Sequence, residues 1–102
     1  MFDLATKFIP ERPNFQTAID AGFRATEFWL SAKLLSQSKD IATVAAEFPF
    51  RYALHFPNGG AIAPSELKST VELYHQLNCT AIVIHQPMFK KYGQALLDID
   101  AT

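Results

Sequence analysis

Four short apolar runs recur along this chain at intervals of about 20 to 30 residues, and helical periodicity fills the gaps between them. The runs are LATKFI (4–9), RATEFWL (24–30), RYALHFP (51–57) and CTAIVIHQ (79–86). Strand alternating with helix on that spacing is the pattern of βα units laid on a parallel sheet. The gaps carry matching signals. PNFQTAIDAG sets Phe15, Ala18 and Ile19 on one helical face, with Asn14 expected as N-cap and Gly22 at the C-terminal cap. Thr17 stands where a complete capping box would place Glu or Gln. SKDIATVAAEF aligns Ile41, Val44, Ala45 and Phe48, and PSELKSTVELYHQLN aligns Leu67, Val71, Tyr74 and Leu77 behind Pro64. The tail from Met88 onward predicts a fourth helix, weakened by Gly93.

Within each run the two faces differ, because residues two apart in a strand share a side. One side reads Ala5 then Lys7; Ala25, Glu27, Trp29; Ala53 then His55; Ala81, Val83, His85. The other side carries bulk: Phe28 and Leu30, Tyr52 and Leu54, Ile82 and Ile84. Bulk packs under helices. Small-then-polar suits a barrel interior, where space is limited and polar groups gather at the C-terminal rim. An open doubly wound sheet has helices on both faces and does not need this asymmetry. The expected fold is therefore α/β, the parallel (βα)4 half of a TIM barrel, as a single partial domain over residues 1–102. Glu27, His55 and His85 are expected together at one end of its inner face, above Ala25, Ala53 and Ala81.

Composition narrows the classes. Hydrophobic residues make up 49% of the chain and charged residues 19%, enough apolar content for a core. The formal net charge of −1 gives no electrostatic case for nucleic acid or an anionic membrane. Cys79 is the single cysteine, so no internal disulfide forms, and a reducing, cytoplasmic setting is expected. The first residues lack a charged segment followed by a long apolar one, and no run approaches the roughly 18 apolar residues of a membrane span. Neither a signal peptide nor a transmembrane helix is expected.

AGFRATEFWL, YALHFP and LKSTVELYHQLNCTAIVIHQP together resemble the first half of the xylose isomerase-like TIM barrels. That group includes sugar isomerases and epimerases, inosose-processing enzymes and endonuclease IV. The resemblance runs from about residue 3 to residue 87 and rests on an AGF…E second strand and on third and fourth strands ending in His. Two departures stand out: His85-Gln86-Pro87 where the family has His-Pro-Gly, and Asn78 where it often has Gly. The resemblance implies proton transfer next to the carbonyl of a sugar or polyol, assisted by a divalent metal (Mn, Co, Zn or Mg). Of the family's functional positions, Glu27, His55 and His85 carry over: Glu27 as catalytic base or metal ligand, His55 and His85 as contacts to substrate or metal. Full barrels have eight strands and about 250 residues. This chain has four, and the sugar isomerases draw most of their metal-binding and catalytic carboxylates from later strands.

Simpler roles stand beside these. Strand-end histidines often make one structural hydrogen bond. Neighbouring strands lie about 4.8 Å apart, close enough for His55 and His85 to share a ligand, yet two ligands fall short of a competent zinc centre. Glu27 is equally explained as an inward carboxylate neutralised by Lys7. Trp29 suits the apolar face of a bound sugar, or core and interface packing. Asn58-Gly59-Gly60 is loop chemistry without phosphate-loop spacing. Cys79 reads as core and His75 as a solvated helix residue. Two rival functions follow: a non-catalytic truncated barrel acting as a binding or oligomeric module, and an endonuclease IV-like metal nuclease, against which the missing basic surface counts. Helices on one side only leave the other side of the sheet bare, with two open edges. A homodimer through the open barrel face is therefore expected.

Overall fold

The four apolar runs become the strands of one all-parallel sheet, in the order β1-β2-β3-β4. The computed structural model describes residues 3–102. Its elements are β1 (Ala5–Phe8), α1 (Arg12–Asp20), β2 (Ala25–Trp29), α2 (Ala32–Leu35), α3 (Ser38–Ala45), β3 (Arg51–His55), α4 (Pro64–Gln76), β4 (Ile82–Val83) and α5 (Gln86–Ala101). Each strand pairs with its successor in sequence, and the helices pack on one face. This is the expected parallel (βα)4 topology, an α/β half barrel. Among the described residues no helix is long and apolar enough to cross a membrane.

The bulky side of each strand is the one that the helices cover. Phe28, Leu54 and Phe15 of α1 have no exposed surface, nor does Leu73 of α4. Around them sits an aromatic cluster. Phe15 meets Phe28 edge-on at 5.3 Å between ring centroids, and Phe28 meets Tyr52 at 5.1 Å. Such pairs contribute about 0.5–1.5 kcal/mol each beyond the area they bury. The Tyr52 hydroxyl reaches the carbonyls of Ala45 (2.8 Å) and Phe48 (3.1 Å), at the end of α3 where carbonyls lack helical partners. A second cluster joins Phe56, Val71 of α4, and Met88 and Leu96 of α5, with Ile82 and Ile84 against it. The tail thus lies on the helical side and leaves the inner face open.

Helix ends explain several local choices. Gly22, at φ +94°, follows α1; its N–H donates to Ile19, and that of Phe23 reaches back to Ala18. Asn78 does the same for α4 at φ +49°, with its own N–H on His75 and that of Cys79 on Tyr74. Both are the left-handed cap that closes a helix with two backward bonds, and Asn is the residue that best replaces Gly there. The departure at Asn78 therefore leaves the turn intact.

Four details differ from expectation. Asn14 is not the N-cap: α1 starts at Arg12 after Glu11, with Pro13 in its first turn, and the Asn14 amide donates to the Ile9 carbonyl at 2.9 Å. A short helix, α2, follows β2, capped by Ser31, whose hydroxyl accepts from the Leu34 N–H at 3.2 Å. The last helix begins at Gln86, not Met88, and runs through Gly93 unbroken. The Phe89 ring lies across Gly93, within 2.6 Å of where a Cβ would stand, so the glycine makes room for it. His75 is not merely solvated: its Nε2 lies 2.5 Å from Asp100 Oδ1 and ties α4 to α5.

Candidate functional site

The inner face is set by register. Ala5 pairs with Ala25 and Ala25 with Arg51; Lys7 pairs with Glu27 and Glu27 with Ala53; Trp29 pairs with His55 and His55 with Val83. All of these side chains share one side of the sheet, but Glu27, His55 and His85 do not share one level. Ala53 stands beside Glu27, so His55 lies one level above it, and His85 follows one level above Val83. Strand rise of about 3.3 Å per residue makes each such step close to 7 Å. The polar positions climb across the sheet because barrel strands are staggered, and a pattern along each strand gives side but not height.

Three tiers result. At the base, Arg51 pairs with Asp3. In the middle, Lys7 Nζ lies 3.6 Å from Glu27 Oε1 and 5.5 Å from the centre of the Trp29 ring. Glu27 Oε1 is buried without a hydrogen bond, so this pairing at a distance is its main compensation. At the rim, the rings of His55 and His85 meet edge to face, 5.0 Å between centroids.

The two histidines are not equivalent. His55 is only 4% exposed, with the His85 ring against it and Trp29 beside it on the neighbouring strand. Its Nδ1 lies 2.9 Å from the Phe56 carbonyl. A carbonyl only accepts, so Nδ1 carries the proton, and in the neutral ring the lone pair belongs to Nε2. Fixing one nitrogen on a backbone carbonyl is how proteins orient an imidazole toward a ligand. His85 is exposed and precedes the first turn of α5. Beside His55 a cleft of about 300 Å³ opens between strand ends, lined by Ile9, Trp29, Leu30, Ser31, Leu34 and Asn58 as well as His55. Trp29 is half exposed and presents its ring there.

The rim side chains that could hold a divalent metal are these two imidazoles. No group of three or more His, Cys, Asp or Glu side chains comes together among the described residues. A metal centre usually needs about three protein ligands, so these side chains do not complete one within a single chain. Glu27 is turned to Lys7 one level below. Cys79 is 7% exposed, part of the main core, and its thiol is pushed up to about 12 by burial. Ser31, which sequence reading passed over, and Asn58, which it read only as loop chemistry, also line the cleft; both belong to the short segments that follow strand ends, where a barrel gathers its ligand contacts. The chain matches no protein-family model, no curated protein and no solved structure.

Proposed function

We propose that this chain is a half barrel related to the xylose isomerase-like group, and that it binds a sugar or polyol at the C-terminal rim of its sheet. The observation that carries the reading is the contact between His55 and His85, brought from two strand ends to one rim beside the Trp29 cleft. Vicinal hydroxyls need donors and acceptors a few ångströms apart, and an aromatic face suits the C–H side of a sugar ring. His55 offers Nε2 as acceptor, while the exposed His85 ring turns to suit its ligand. A divalent metal supplies Lewis-acid polarisation of a carbonyl or hydroxyl when bound. In the catalytic form of this reading, Glu27 acts as base for proton transfer next to a carbonyl, after release from Lys7. The ion pair at 3.6 Å favours a second reading, a binding module without turnover.

Imidazole NMR tests the proposal. A panel of pentoses, hexoses and inositols, with and without Mn²⁺, Co²⁺, Zn²⁺ or Mg²⁺, is titrated while the ring signals are followed. Movement of His55 and His85 with saturation, and a still His75, is the expected result. No saturable change at either rim histidine with any member of the panel overturns it. Release of a proton from the substrate carbon, read as exchange with deuterated solvent, separates the two readings.

A further inference from the structure

We infer that two copies of this chain close on each other as a two-fold eight-stranded barrel, β4 of each beside β1 of the other, and that the rim site is completed by the partner copy. The inference stands on the sheet and not on what the rim binds, so it survives failure of the sugar reading and can fail without it.

Four observations converge on a second copy as the occupant of the inner face. The first is topology. The free edges are the two ends of one parallel sheet, β1 and β4, with every helix on the same side. A two-fold axis along the barrel direction sets β4 beside β1 of the partner in parallel, twice at once, and removes both edges. The second is charge. The inner face carries Asp3, Lys7, Glu27 and Arg51, two of each sign and paired within the chain. Two such faces meet without net repulsion, whereas a charged partner would have to break those pairs. The third is area. The chain exposes 6441 Å², whereas a compact monomer of 11.4 kDa exposes about 5,800 Å². The excess of roughly 650 Å² approaches the 800 Å² or so that each partner contributes to a stable interface.

The fourth is a groove of about 270 Å³ beside β4, on the helical side, with Ile82 and Ile84 as its floor and Phe89 and Leu97 of α5 as its wall. Phe89 and Leu97 are each more than half exposed. A strand added to β4 would turn alternate side chains into this groove. In β1 those are Thr6 and Phe8, preceded by Leu4, which is 71% exposed in its own chain. An apolar slot next to one open edge, and an unused leucine next to the other, are the two halves of one contact. Closure also rings the mouth: two imidazoles per chain become four, with a second Trp29, and the donors that one chain lacks come from the other.

Sedimentation equilibrium across the micromolar range tests this on the full chain. The expected species has twice the mass of 11.4 kDa. Val83→Glu on the inner face and Leu97→Asp in the groove should each weaken dimerisation by about a hundredfold or more, since each would place an unpaired charge in the contact. Lys90→Glu, exposed elsewhere on α5, should leave it unchanged, and circular dichroism checks folding throughout. If a variant fails to fold, mixing isotope-labelled with unlabelled wild-type chain provides the second reading: cross-chain contacts between Leu4 and Ile84 are expected. A folded monomer throughout the range, an open series of larger species, or a dimer indifferent to both substitutions and lacking those cross-chain contacts overturns the inference.

Discussion

Leu54 and His55 are consecutive residues of β3 that serve opposite faces of one sheet. Leu54 points into the helical side among phenylalanines, with no exposed surface. His55 points to the inner side, where Trp29, Val83 and Ile9 are all substantially exposed. The helical face is dry, dense and aromatic, and its one prominent hydroxyl, Tyr52, is bonded. The inner face is tiered, with two ion pairs below and two imidazoles above. The difference teaches that close packing and polar pairing are written on alternate residues of the same strands. One face can be altered without reading the other, to the extent that the separation is clean.

The separation can be broken by experiment. Leu54→Ala should cost most, about 2–5 kcal/mol by chemical denaturation, as for other leucines lost from a packed interior. His55→Ala should cost less, about 1–2 kcal/mol, the worth of one buried hydrogen bond with some packing. Equal costs for these neighbours would mean that the inner face is core in its own right and the comparison is wrong. Tyr52→Phe should cost about 1 kcal/mol, because it strips a donor from the Ala45 and Phe48 carbonyls while keeping the ring. His85→Ala should fall within about 0.5 kcal/mol of the parent, as exposed substitutions do.

Two pH effects sharpen the same contrast. Burial raises the Cys79 thiol from 9.0 to about 12. The unfolded chain therefore gives up this proton first, and stability should fall as pH rises from near 9 toward 12. Burial also raises the Tyr52 hydroxyl well above its usual value, with the same sign. Cys79→Ala should flatten the alkaline slope measured by denaturation at stepped pH. The smallest effect belongs to the exposed pair of Arg12 and Glu47, bonded at 2.8 and 2.6 Å. The hydrogen bond from Arg12 lowers the Glu47 carboxyl. Its contribution is present above the ordinary carboxylate range and fades as pH falls through the lowered value. Glu47→Gln should barely move the midpoint at neutral pH, and less still in high salt.

The alternation of strand and helix, and the side to which each strand residue points, were readable from the chain because both follow from period alone. Height was not. Ala53 and His55 repeat the spacing of Ala25 and Glu27, yet register sets Ala53 level with Glu27, because stagger between strands leaves no trace within any one of them. Helix α2 was missed because four residues are too few to show a period; its signal was Ser31 as a cap. Asn14 misled because Pro13 starts the helix earlier and leaves the amide free to bond Ile9. The pairing of Lys7 with Glu27 was among the expectations, and here adjacent strands sufficed to foresee it. The contact of His75 with Asp100 was not, since it depends on how α5 settles against α4.

The strand order has a consequence for synthesis. Every ladder in the sheet joins a strand to the next one made, with only one crossover between them. Each pairing therefore closes the shortest loop that its two strands allow, and loop closure is the entropic cost of such a non-local contact. Sequential synthesis therefore lets β2 pair with β1, β3 with β2 and β4 with β3, none of them waiting for a strand made later. β4 is also the shortest strand, and its outer edge, like that of β1, stays open to a further strand.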